Sequence, residues 1–140
     1  MQAERERIYQ LHADYCRSLA NPTRLMVLDC LRDGELSVSD IAKRVEAPLS
    51  TVSKHLSSLR ERSIVDRRKS RQTVYYHLAD RRVLDACAVI RSVLVDNMRA
   101  RGEIARELDI AEPVLRPPFA KQAPAPTQAT VNTTDKGPQQ

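Results

Sequence analysis

The chain has 140 residues, 41% of them hydrophobic, with one Phe and no Trp, which allows one modest core of Leu, Val, Ile and Ala and favours packed helices over an aromatic-rich sandwich. Its net charge of +5 and isoelectric point of about 9.4 point to nucleic acid or another anionic surface as a partner. The charged start MQAERERIYQ does not read as a signal peptide, no apolar run approaches the ~18 residues of a membrane span, and the odd, scattered Cys16, Cys30 and Cys87 form neither a disulfide framework nor a C-x-x-C knuckle, so a reducing cytoplasm is expected.

Residues 3–19 place Ile8, Leu11, Tyr15 and Leu19 at helical spacing. Asn21-Pro22 reads as an N-cap followed by proline at the first helical position, opening a helix TRLMVLDCLRD that ends near Gly34. In SVSDIAKRV, Ser37 is placed as an N-cap with Asp40 three residues on. Ala47-Pro48 breaks the chain, and LSTVSKHLSSLRER follows as a second short helix. There Val52, Leu56 and Leu59 stack on one side, while Ser50, Thr51, Lys54, Ser57 and Ser58 fan out opposite.

The period then changes. IVDRRKSRQTVYYHL has β-rich ends, Ile64-Val65 and Thr73-Val74-Tyr75-Tyr76, around a cationic tip RRKSR. Residues 80–109 follow as a long helix, with Asp80 as its N-cap and a seam of Val83, Cys87, Ile90, Leu94 and Asn97 at spacings typical of a helix packed on another. Six of the eight prolines fall after residue 112. The expected organisation is therefore a domain over 1–110 and a disordered Pro/Thr/Gln-rich tail over 111–140.

The fold class implied is mainly α (α+β): a winged helix-turn-helix with a two-stranded β-hairpin wing. A helix that enters the major groove needs short polar side chains, because long ones hold its backbone off the bases. That explains a helix face of serines and threonine. Residues 43–82 hold eleven Lys/Arg and four Asp/Glu, a net of +7, more than the whole chain carries. The positive potential is thus concentrated where duplex DNA contact is expected. The plainer reading, a solvated helix face and a solvated turn, suits any one of these features better than their combination.

Taken in order, LANPTRLMVLDCL, GELSVSDIA, STVSKHLSSLRE and TVYYHLAD resemble the ArsR/SmtB family of winged-helix repressors over roughly residues 10–100. The resemblance implies a homodimer through the first and last helices, with Tyr15, Leu19, Val83, Cys87, Ile90 and Leu94 at the interface. It implies an inverted-repeat operator in double-stranded DNA, read by Ser50, Thr51, Ser53, Lys54 and His55 and gripped by Arg67, Arg68, Lys69 and Arg71. Turn positions where the family usually has glycine hold Glu46, Ser63 and Ser70 here.

The resemblance also implies release by a small inducer. The positions of one thiolate sensor site hold Ser37, Ser39 and Ala42, and hydroxyls are poor ligands for soft ions. A zinc site on the last helix keeps Asp80 and Asp96 but has Arg82 and Val93 where imidazoles are needed. His12, His55 and His77 have no ligand spacing, and His12 reads as packing. Cys30, Cys87 and Cys16 remain, either as sensors of a trivalent metalloid, a soft metal ion or a reactive sulfur species, or as small buried hydrophobes. The alternative function is a winged-helix protein-interaction module without an inducer site. No Ser/His/Asp set, paired acid site or Gly-rich phosphate loop suggests an enzyme.

Overall fold

The computed structural model describes residues 1–102. The expected tail over 111–140, and the last residues of the helix expected over 80–109, lie outside the described residues. In order come α1 (Gln2–Leu19), α2 (Pro22–Cys30), a 3-10 turn (Leu31–Asp33), β1 (Leu36–Ser37), α3 (Val38–Val45), α4 (Leu49–Glu61), β2 (Val65–Ser70), β3 (Thr73–Leu78) and α5 (Arg82–Ala100).

The caps explain several boundaries. Asn21 Oδ1 accepts the Arg24 N–H at 3.1 Å with Pro22 at the first position of α2, and Ser37 Oγ accepts the Asp40 N–H at 3.2 Å to start α3. The N-cap position of α5 is Arg81, one residue later than the Asp80 expected; Asp80 precedes it and its carboxylate accepts the Arg82 N–H at 2.9 Å.

Two helices end on residues that are not glycine. Glu46 has φ 53° and Ser63 φ 57°. In each, the next residue's N–H reaches five positions back, Ala47 to Ala42 at 3.1 Å and Ile64 to Leu59 at 3.0 Å, as a Schellman stop requires. The third left-handed residue is Arg71, φ 58°, and not Ser70. Ser70 pairs with Thr73, so only Arg71 and Gln72 form the hairpin turn.

This register corrects the expected hairpin: Arg67, Arg68 and Lys69 are strand residues opposite Tyr76, Tyr75 and Val74, and not its tip. The sheet has three strands, not two, in the order β1-β3-β2, because the short β1 adds Leu36 and Ser37 beside Tyr76 and Tyr75.

One core joins α2, α3, α4, the sheet and the start of α5. Val27, Ile41, Val52, Leu56 and Leu59 are fully enclosed, and Val83, Leu84, Cys87 and Ala88 close it from α5. In contrast, α1 has no buried residue; Tyr15 and Leu19 only lean on the core. His12 is exposed, which corrects its reading as a packing residue.

Candidate nucleic-acid interface

The inner face of α4 is Val52, Leu56 and Leu59, all at 0% exposure. That burial fixes the rotation of the helix. Ser50, Ser53, Lys54 and Ser57 are left exposed, with Thr51 and Ser58 half-buried at the edges. The tight α3–α4 connection, with Glu46 left-handed and Pro48 preceding the first turn of α4, sets that helix against α3. The result is a helix-turn-helix whose second helix presents hydroxyls and one ammonium outward.

His55 does not share this outward position. It is half-buried, and its Nδ1 accepts from Arg24 Nε at 3.0 Å. Arg24 also donates to the Ser18 carbonyl at 3.0 Å. This chain of contacts runs from the end of α1 through α2 to the middle of α4. Burial first, and the Arg24 charge second, hold the His55 imidazole below its ordinary pKa, so it remains neutral and able to accept. Nothing in the sequence signals a partnership across 31 residues.

The wing is divided in a similar way. Arg67, Lys69 and Arg71 are exposed along β2 and its turn. Arg68 is also exposed but engaged: its guanidinium forms a two-pronged ion pair with Glu35, with Nε at 2.7 Å. It also lies over the Tyr75 ring, 4.9 Å from the centroid. The Arg68 hydrogen bonds hold the Glu35 carboxyl below its usual pKa. Cross-strand pairing of Arg68 with Tyr75 accounts for the ring contact. Glu35, just ahead of β1, escapes the sequence reading because β1 itself does.

The expected interface seam splits along α5. Val83 and Cys87 are 6% and 7% exposed, because they belong to the protomer's own core, which leaves them little surface for a partner. Ile90 and Leu94, at 59% and 54%, remain open, and Val89 and Val93 extend the same apolar surface. On α1, Ile8, Tyr9 and Leu11 are similarly bare.

The thiols are dispersed: Cys16 exposed, Cys30 half-buried and Cys87 buried. Burial pushes the Cys30 and Cys87 thiols up, away from the reactive thiolate form. Among the described residues, no group of three or more His, Cys, Asp or Glu is placed to hold a metal ion. A three-ligand set built on these cysteines is therefore not assembled among the described residues of one protomer. Asp80 is committed to Arg82, whose Nη2 stands 2.7 Å away, and its carboxyl is lowered to about 2. Among the described residues, no helix is long and apolar enough to cross a membrane.

Comparison with known proteins supports the geometry. Residues 19–68 match a helix-turn-helix domain family. The nodulation protein NolR of Rhizobium meliloti is 33% identical over 94 residues, covering 67% of this chain and 77% of NolR. A transcriptional repressor SmtB homolog from Synechocystis is 37% identical over 76 residues, covering 54% of this chain and 58% of the homolog. A solved winged helix-turn-helix domain from Mycobacterium bovis, described as homodimeric and as a possible ArsR-family regulator, superposes with a TM-score of 0.61 at 28% identity, covering 69% of this chain and 89% of that one. The fold, the helix-turn-helix match and these relatives converge, and this chain belongs to the ArsR/SmtB family of winged-helix, DNA-binding transcriptional regulators.

Proposed function

We propose that the protein is a dimeric repressor that reads an inverted-repeat operator through Ser50, Thr51, Ser53 and Lys54 of α4 and steadies itself on phosphates through Arg67, Lys69 and Arg71 of the wing. The observation that carries this reading is the pairing of an exposed hydroxyl-rich helix face with an exposed cationic strand in one domain. Hydroxyls are short enough to let the helix backbone approach base edges, while the strand's cations neutralise the backbone whatever the sequence. His55 and Arg68 are supports within this interface, holding α4 and the wing in place.

Two copies would cover the apolar surfaces of α1 and distal α5, and a dimer presents two reading helices to two half-sites. The test is anisotropy of labelled duplexes against salt. Affinity is expected to fall by roughly one log unit per log salt for each phosphate neutralised. Replacing Arg67 and Lys69 with Ala should weaken all sequences alike and flatten that slope, whereas Thr51→Ala should mainly reduce discrimination between sites. No duplex binding at low salt would favour the interaction-module alternative.

For a trigger, one observation favours a thiol pair over a metal. Cys16 and Cys87 lie on α1 and α5, the two helices that carry the open apolar surface, and no metal-holding group of three side chains is found among the described residues. A reactive sulfur species that oxidised this pair would tie α1 to α5. Polysulfide should then release DNA from the wild type but not from Cys16→Ser; equal release from both would remove Cys16 from the trigger, and equal release from the triple serine variant would leave all three cysteines as packing.

A further inference from the structure

The reading helix carries one side chain that its hydroxyl face does not explain. Among the described residues, the large hydrophobic side chains left exposed outside α1 and α5 are Met1, Met26 and Leu49. Of these, Leu49 alone stands on the helix-turn-helix, as the first residue of α4. It is 54% exposed, so about half of its surface has no cover within the protomer. Leu49, Ser53 and Ser57 recur every four residues and form one ridge along the helix, all three exposed. A scattered exposed leucine needs no explanation. Leu49 differs by its place at the leading end of that ridge, in a helix whose N-terminal residues meet base edges when it lies in a major groove.

We propose that Leu49 is a specificity residue that packs on the 5-methyl group of a thymine in each half-site. All four base pairs present hydrogen-bonding groups in the major groove, but the methyl is thymine's own. The serines and Lys54 can answer polar base edges. A leucine answers none of them, and against a purine it would set hydrocarbon on polar groups left without partners. Burying one methyl against Leu49 contributes about fourfold in affinity. The contact carries no charge, so it adds preference between sequences without adding to the grip on phosphates. Leu49 lies one turn ahead of Ser53 on the same ridge, so the thymine would neighbour the base that Ser53 meets. This role rests on the reading of α4 proposed above and names the base that its first residue selects.

The test uses the full chain and a duplex that it selects in vitro from a random pool. Each thymine of the selected site is replaced in turn by deoxyuridine, which keeps the pairing and removes only the methyl. At one position per half-site the wild type should lose about fourfold in affinity for each methyl, with the salt slope unchanged because no charge is lost. Leu49→Ala, a good helix former at an exposed position, should keep the thermal stability of the wild type and bind thymine and deoxyuridine duplexes alike. Leu49→Gln should also lose the thymine preference, and selection with it should favour adenine there, the base that a carboxamide matches. If deoxyuridine costs nothing at every thymine, or costs Leu49→Ala as much as the wild type, Leu49 does not read the methyl. A Leu49→Ala chain that no longer forms the wild-type assembly in sedimentation would assign the side chain to contact between copies and overturn the proposal. Absence of any duplex binding at low salt would remove the reading of α4 and this role together; tight binding indifferent to the methyl would remove this role alone.

Discussion

The α2–α4 unit and the pair formed by α1 and distal α5 differ in how fully they are satisfied. In the first, Val27, Ile41, Val52, Leu56 and Leu59 are completely enclosed by the protomer. In the second, α1 has no fully buried residue and only leans Tyr15 and Leu19 on the core, and Val89, Ile90, Val93 and Leu94 face outward. One region is stabilised by its own core; the other is a helical surface whose apolar area has no cover within the chain's described residues. The reading unit can therefore hold its shape independently, while its spacing from a second unit depends on assembly.

The strongest way to break this contrast is Leu56→Ala, which opens a cavity at the centre of the enclosed core. It should cost about 3 kcal/mol of stability. Leu94→Ala should cost far less in the isolated protomer, and chemical denaturation of both variants at low concentration would compare them. If the two cost the same, the outer surface is already covered.

Next in size is assembly. Leu94→Glu should yield monomers whose operator affinity drops by about a hundredfold, since two half-sites can no longer be engaged together. Sedimentation and anisotropy on the same sample would check it. A monomeric wild type with tight binding would refute the dimer.

A smaller effect is expected where the regions meet, at Arg24. Arg24→Gln should cost about 1 kcal/mol by removing the donor to His55 and should weaken DNA binding with little change in oligomeric state. The pH dependence follows from the lowered His55 pKa. As pH falls through the unfolded-state value of 6.5, the unfolded chain takes up a proton that the folded one resists. Stability from this contact is thus fully present above that value and lost progressively below it. Thermal unfolding of wild type and His55→Asn from pH 7.5 to 5.5 would show whether the acid loss disappears with the imidazole.

The smallest prediction is a gain. Ser63→Gly should raise stability by roughly 1 kcal/mol, since glycine accepts a left-handed φ without the steric cost of a side chain. Arg71→Gly should gain similarly in stability yet weaken DNA binding, because it also removes a wing cation. That pair of outcomes separates the fold of the wing from its charge.

Much of the molecule was legible because its causes are local. Asn21-Pro22, Ser37 with Asp40, and the stop at Ala47-Pro48 act over three or four residues, so helix starts and the turn could be read directly. The hydroxyl face of α4 followed from the positions of Val52, Leu56 and Leu59 alone. Glu46 and Ser63, at turn positions where the family usually has glycine, fell at left-handed turns, because helix ends constrain only a few neighbours. Ser70 did not, because the hairpin register places the turn one residue further on.

By itself, then, the sequence determined the order of the helices and the hairpin, the winged-helix class and the face of α4 that points outward, but not the short β1. Tertiary structure decided which cations are held and which are open. Arg68 pairs with Glu35 and Arg24 with His55 across separations of 33 and 31 residues, where no local rule operates. It also divided one apolar seam into a buried half at Val83 and Cys87 and an open half at Ile90 and Leu94. The physical reason is the same in both cases. Helical spacing says which residues share a face, but only the packed chain determines how far along that face its neighbours extend.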